Sequence, residues 1–166
     1  DVIHVPINRS GSSTYNNAAL ISLVLLLVLA VSAGAASSQN VGVKFWKERS
    51  DKESMANSGI DPDRTATLTR QANGTYTLTL PVMQVSKLGV TGYLSGLTIG
   101  DVTYDGTLTG DFNKATAVLT IKNLPASVLT GSDVNKSVLV TCNIQMDLQV
   151  LGEINTSARM CIWNQK

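Results

Sequence analysis

A run of 34 consecutive uncharged residues, positions 10–43, constrains this chain more than any other feature. Its central part, residues 18–36, is almost entirely aliphatic or small. As a helix this segment would be about 28 Å long, close to the roughly 30 Å hydrocarbon core of a bilayer. Because it is apolar on every side, such a helix must be covered by lipid or by other protein. The sequence therefore predicts a hydrophobic helix over residues 18–36.

Three roles are open to this helix. Ala33-Gly34-Ala35 forms an A-x-A site after an apolar stretch, as in a cleavable leader. A retained helix could instead anchor the chain in a membrane, or pack against copies of itself as in pilin-type filaments. The small residues at its C-terminal end allow close helix approach in both retained cases. We favour retention, with contacts made by its large aliphatic residues: Leu20, Ile21, Leu23, Val24, Leu25, Leu26, Leu27, Val28, Leu29 and Val31.

The segment before the helix, residues 1–17, is a polar tail with a short alternating stretch from Val2 to Ile7. Chain ends of this kind are usually disordered unless something holds them. One hypothesis is strand addition to a neighbouring copy of the chain, and the alternative is a tail ordered by chance. After the helix, residues 37–40 are predicted to be a linker, and residues 41–166 a β domain.

From Val41 onward the hydrophobic pattern has a period of two, which predicts strands. Two Thr-rich alternating runs flank Ala72-Asn73-Gly74. A two-residue turn would place apolar residues opposite polar ones along the whole hairpin. A three-residue loop with Gly74 in the left-handed region places Leu68 opposite Leu78 and keeps one face dry, so it is the predicted register.

The remaining pattern predicts further short antiparallel strands. Asp105-Gly106 predicts a turn after a strand that ends at Tyr104. Alternation from Val138 to Val150 covers 13 residues, whereas strands usually have about six, so a bulge or bend is expected there. Eight or so strands with turns at this spacing predict a mainly β fold. The expected architecture is an antiparallel immunoglobulin-like β-sandwich preceded by a single N-terminal hydrophobic α-helix.

The two cysteines, Cys142 and Cys161, fall in the last two predicted strands. An exported chain with an even cysteine count favours a disulfide between them. The register that places them opposite each other pairs Ile144 with Arg159. A shift by one pairs Ile144 with Met160 and separates the cysteines. Opposed cysteines and matched apolar faces are therefore compatible only if the hairpin contains a bulge. The alternative is a buried free thiol at Cys142.

Most catalytic chemistry is excluded by composition. His4, in the tail, is the only histidine, so the β domain cannot contain a Ser/His/Asp triad or a two-histidine metal site. The 13 basic and 12 acidic residues give a net charge of +1, which argues against a nucleic-acid partner. We therefore predict a protein that is not an enzyme and binds no metal. Sequons for N-glycosylation occur at Asn8, Asn73, Asn135 and Asn155.

The stretch from Val43 to Val82 resembles the opening of NEAT domains, the haem-binding β-sandwiches of bacterial cell-surface iron uptake. A first strand is followed by Glu53-Ser54-Met55-Ala56-Asn57, where those domains often have a Ser-Met-Ala lip helix. Asn73 to Leu80 (NGTYTLTL) stands in place of their Gly-x-Tyr strand. The resemblance implies the fold, a cell-surface setting, and the lip candidates Ser54, Met55 and Tyr76.

One departure from the NEAT pattern concerns the iron ligand. Haem-binding members carry a Tyr-x-x-x-Tyr pair on the last hairpin, whereas residues 149–159 here contain neither tyrosine nor histidine. Met146 or Met160 could ligate iron, but alternation assigns both to the core face, where methionine is common. The sequence therefore predicts no cofactor, with haem possible but disfavoured.

Two functions follow from these observations. The first is a non-catalytic structural subunit of an extracellular filament or cell-surface assembly, with the helix in the assembly core and the sandwich displayed outward. Its expected partners are copies of itself, through helix and tail, and a membrane at least transiently. The alternative is a membrane-anchored NEAT-type module that binds haem or another ligand. Both place the β domain outside the cytoplasm.

Overall fold

The computed structural model describes residues 36–87, 89–147 and 152–166. The predicted tail lies outside these ranges, as does the predicted helix except for its last residue, Ala36. The described residues form nine strands: β1 Ser37–Lys47, β2 Ala66–Arg70, β3 Tyr76–Pro81, β4 Val85–Lys87, β5 Val90–Ile99, β6 Val102–Thr109, β7 Val118–Leu124, β8 Val138–Met146 and β9 Glu153–Asn164. Four short 3-10 helices lie between them: η1 Met55–Gly59, η2 Phe112–Lys114, η3 Ala126–Val128 and η4 Val134–Lys136.

The nine strands form one antiparallel sheet that closes on itself. Eight of them follow in the order β5-β6-β7-β3-β2-β1-β9-β8, and β8 pairs back onto β5, with Leu97 opposite Cys142. The short strand β4 adds to the first half of β5, where Ser86 lies opposite Thr91. Closure pairs the two strands that would otherwise be the edges of an open sheet.

This closed ring confirms the mainly β, antiparallel class and refines the predicted two-sheet sandwich. Alternating burial is the same for two stacked sheets and for a ring, so the sequence pattern does not distinguish them. A register shift between Leu94 and Gly96 marks a bulge in β5, which bends the strand. Its first half therefore pairs with β4 and its second half with β6, while both halves pair with β8.

The interior of the ring is filled by the inward side chains of the strands. The hairpin of β2 and β3 has the predicted register, with Leu68 opposite Leu78 and Gly74 at φ +83° in the loop. Both leucines are completely buried. The other large, fully buried side chains include Phe45, Leu80, Leu97, Leu119, Ile121, Leu124, Met160 and Ile162.

Two local predictions differ from the structure. Ser37–Asn40, predicted as a linker, are the first residues of β1 and pair with β2. Asp105 and Gly106, predicted as a turn, lie inside β6, where Gly106 is opposite Ile121. This glycine serves packing, because a Cβ atom at position 106 would lie 2.4 Å from Leu119 Cδ1.

The final hairpin has a register that neither sequence-based alternative predicted. Cys142 lies opposite Thr156, and Ile144 lies opposite Ile154. The inward positions of β9 therefore divide into two sets. Ala158 and the inward positions after it are buried in the core, whereas Ile154 and Thr156 lie beyond it and line a groove.

Candidate functional site

An apolar groove of about 310 Å³ continues the interior of the ring at the end where β5, β8 and β9 extend past the core. Its residues are aliphatic, thioether or glycine except for Thr156, and none is charged. They come from five elements: Met55, Ala56 and Gly59 of η1, Val85 of β4, Val90, Gly92 and Leu94 of β5, Ile144 and Met146 of β8, and Ile154 and Thr156 of β9. The volume is at the lower end of the range for small-molecule sites, which are mostly apolar.

Helix η1 forms one wall of the groove and is fixed to strand β1 by Asn57. The Asn57 side-chain amide donates to the Phe45 carbonyl at 2.6 Å and to the Ser54 carbonyl at 3.0 Å. Its oxygen accepts from the Phe45 backbone N–H at 2.8 Å. Asn57 thus hydrogen-bonds to both the N–H and the carbonyl of Phe45, as the backbone of a neighbouring strand would.

Ser54, a predicted lip residue, is the N-cap of η1. Its hydroxyl accepts from the Ala56 backbone N–H at 3.2 Å, which is the capping role for which serine is preferred. Its own N–H donates to the Phe45 carbonyl at 3.0 Å. Ser54 is buried and not among the groove residues, so it positions the helix that carries Met55 and Ala56.

The heteroatoms of the groove side chains are two thioether sulfurs and one hydroxyl. Met55 is a predicted lip residue that lines the groove and is 61% exposed at its mouth. Met146 is half-buried on β8, and the prediction that it belongs to the core is wrong. Strand β8 extends past the core, and its last inward residues line the groove. Thr156 supplies the hydroxyl.

Two other predicted residues lie away from the groove. Met160 is completely buried in the core, as alternation predicts. Tyr76 begins β3 opposite Arg70 and packs against the core, outside the residues that line the groove. Sequence reasoning missed Asn57 and most aliphatic groove residues. The sequence signal for the groove was the long alternation from Val138. It is longer than a strand needs to be if its inward residues only fill the core.

The cysteines do not form the predicted disulfide. Cys142 and Cys161 are free and buried. The β9 residue opposite Cys142 is Thr156, five positions before Cys161, which corresponds to about 16 Å along a strand. A disulfide needs Cα atoms within about 7 Å. The Cys161 thiol instead donates to the Asp133 carbonyl at 3.5 Å.

We expect both thiols to be unreactive in the folded protein. Burial raises the pKa of Cys142 to about 12, so almost no thiolate, the reactive form, is present at neutral pH. A chromogenic disulfide reagent should label neither cysteine in buffer and both in denaturant, without prior reduction. Rapid labelling before denaturation, or no labelling after it, would contradict the buried free thiols.

An ion pair between buried Asp61 and half-buried Arg64 connects the segment after η1 to Ala117, the residue before β7. Arg64 Nε donates to Asp61 Oδ2 at 2.8 Å, and Arg64 Nη2 donates to the Ala117 carbonyl at 2.7 Å. Asp61 is only 5% exposed, and its other oxygen accepts from the Asp63 backbone N–H at 3.0 Å. The Arg64 hydrogen bond, followed by that from Asp63, holds the pKa of Asp61 below its ordinary value.

The sequons that fall in the described residues are on the surface. Asn73 lies in the β2–β3 turn, Asn135 in η4 and Asn155 on β9, and all three are exposed. Asn8 lies outside the described residues. Glycosylation at these positions stays a prediction.

Within the part of the chain that the structure describes, no helix has the length and hydropathy needed for a membrane span. The same residues contain no group of three or more His, Cys, Asp or Glu side chains that could hold a metal ion.

Comparisons with known proteins give structural matches and no sequence matches. No protein-family model matches the chain, and no curated protein matches it. Among solved structures it is similar to the NEAT5 domain of IsdX2, a B. anthracis hemophore in complex with heme, with 10% identity, a TM-score of 0.48, and coverage of 80% of this chain and 99% of that chain. A mutant of that domain in complex with heme matches with 12% identity, a TM-score of 0.49 and the same coverage.

The sequence predicted no cofactor for this chain, whereas both structures reported above are heme complexes. That prediction depended on the missing tyrosine pair and on both methionines lying in the core. The groove changes one part of this basis, because Met146 lines an apolar site together with Met55 instead of filling the interior. Met160 lies in the core as predicted, and the tyrosine pair is absent.

Proposed function

We propose that the β domain is a non-catalytic binding module that takes a flat, largely apolar ligand in the groove between η1 and the ends of β5, β8 and β9. The observation that carries this proposal is the groove itself, about 310 Å³ of apolar space held open by a hydrogen-bonded helix. Binding there is driven by removal of apolar surface from water. This corresponds to the second of the two functions derived from the sequence.

Haem is the ligand that we propose for this module. Aliphatic walls suit the faces of a porphyrin, and thioether sulfur is an established axial ligand of haem iron. The donor set of the groove therefore fits haem: Met55 and Met146 offer sulfur, and Thr156 offers a hydroxyl. When bound, haem would supply an iron centre, and the chain would supply the apolar enclosure and a sulfur ligand from Met55 or Met146.

The role of residues 18–36 completes the proposal. The uncharged run supports an anchor or assembly helix that displays the β domain outside the membrane. Self-association through this helix and the tail stays a prediction, because it concerns residues outside the described ranges.

Haem titration of the full chain in detergent tests the proposed function. We expect a saturable Soret change with one haem per chain, measured against a detergent blank. Ile154→Asp places a carboxylate at the groove, where Ile154 is 42% exposed, and should weaken binding at least about tenfold because burying that charge is costly.

Leu139→Asp is the matched control for this titration. Leu139 is an aliphatic residue on β8 that is 57% exposed and outside the groove, so the change should leave haem affinity unchanged. The proposed function would be refuted by a titration without saturation, or by equal losses in the two variants.

A further inference from the structure

We propose that Met146 is the iron ligand of the groove, and that the domain therefore binds ferrous haem more tightly than ferric haem. This inference rests on the proposed function and adds a ligand and an oxidation-state preference to it. It starts from the three heteroatom-bearing side chains among the described groove residues, namely Met55, Met146 and Thr156.

The backbone of Met146 is fixed on both sides. It lies opposite Gly92 in the β5–β8 pairing, and its N–H donates to the Gly152 carbonyl at 3.0 Å. The next residue, Asp147, donates its N–H to the Thr91 carbonyl at 2.9 Å. A ligand on such a backbone is preorganised.

The Met146 sulfur occupies space that a glycine leaves free. A Cβ atom at position 92 would lie 2.7 Å from Met146 Sδ, closer than the two atoms can approach. Gly92 thus lets the thioether fold across β5 within the groove lining. Met55, by contrast, starts a short helix and is mostly exposed at the groove mouth, so its side chain is less constrained.

Thioether chemistry sets the expected preference. Sulfur in methionine is a soft, neutral donor, and such ligands favour the lower oxidation state of a metal and raise its potential. By thermodynamic linkage, tighter binding of the reduced form raises the potential of the bound iron. A tenfold preference for the ferrous form equals a rise of about 59 mV for a one-electron couple.

The experiment compares three probes with the full chain in detergent: ferric haem, haem reduced with dithionite, and metal-free protoporphyrin. We expect ferrous haem to bind at least about tenfold more tightly than ferric haem. Met146→Leu conserves volume, so it should abolish that preference and leave metal-free protoporphyrin affinity within twofold. Met83→Leu, at an exposed methionine outside the groove lining, should change nothing.

The outcomes separate the two proposals. If none of the three probes binds, the proposed function fails and the ligand assignment falls with it. If metal-free protoporphyrin binds but the ferrous preference is absent, or survives in Met146→Leu, the groove function stands and the ligand assignment is overturned. Loss of the preference in Met55→Leu alone would overturn the assignment to Met146.

Discussion

Replacing Asn57 by alanine is expected to lower the free energy of unfolding by about 2 kcal/mol and to weaken ligand binding in the groove. Its amide makes three hydrogen bonds, two of them to the backbone of Phe45. Truncation leaves the Phe45 N–H without this partner, and an unsatisfied buried polar group costs about 1–3 kcal/mol. The Phe45 carbonyl keeps the Ser54 N–H as a donor. The same bonds position η1, which contributes Met55, Ala56 and Gly59 to the groove.

Denaturant unfolding and porphyrin titration measure the two effects of Asn57→Ala. Ser58→Ala is the matched control on the same helix, because the exposed Ser58 hydroxyl bonds only to the Met55 carbonyl, and it should stay within about 0.5 kcal/mol. Asn57→Asp keeps the acceptor for the Phe45 N–H but places a carboxylate oxygen against the Phe45 and Ser54 carbonyls, so it should also be destabilising. Equal stability of Asn57→Ala and Ser58→Ala would show that the side chain does not hold the helix.

The sequence predicts strands well where one face of a hairpin is buried in a single core. In the β2–β3 hairpin a slip by one residue would place Leu68 and Leu78 on opposite faces and turn one of them toward solvent, so burial alone selects the register. The structure has this register.

The same reasoning fails on the final hairpin because some of its inward apolar residues fill the core and others line the groove. Matching Ile144 with Met160 assumes one dry face, but Met160 is in the core and Ile144 lines the groove. Alternation cannot tell a core position from a groove position, because both are inward and apolar. The true partner of Ile144 is Ile154, which joins two groove residues.

Polar contacts between distant segments are a second feature of the structure that the sequence does not predict. Asn57 bonds to Phe45, 12 positions away, and Arg64 bonds to Ala117, 53 positions away. No local pattern marks such pairs, since each residue alone looks like an ordinary surface side chain. The closure of β5 on β8, likewise, depends on a bulge that alternation does not locate.

Replacing Arg64 by methionine is expected to cost about 3 kcal/mol at neutral pH. This is the lower end of the range for breaking a buried ion pair, because the Arg64 side chain is 27% exposed. Asp61, 5% exposed, would keep only the Asp63 N–H as a hydrogen-bond partner. Arg64→Met preserves the aliphatic stem, so the loss measures the charge and its hydrogen bonds. Asp61→Asn added to Arg64→Met removes the stranded carboxylate and should restore most of the stability.

The pH dependence of Arg64→Met gives a second, independent test. In the native protein the pKa of Asp61 is below its ordinary value of 3.8, so the folded state binds this proton less readily than the unfolded state. Its contribution is therefore present above about pH 4 and is lost as pH falls through the folded pKa. Without Arg64 the buried carboxylate should have a raised pKa, and the deficit of the variant should shrink in acid. Urea unfolding between pH 3 and 7 measures this, with the exposed Arg70→Met as control. A deficit independent of pH, or equal in the control, would contradict the ion pair as its cause.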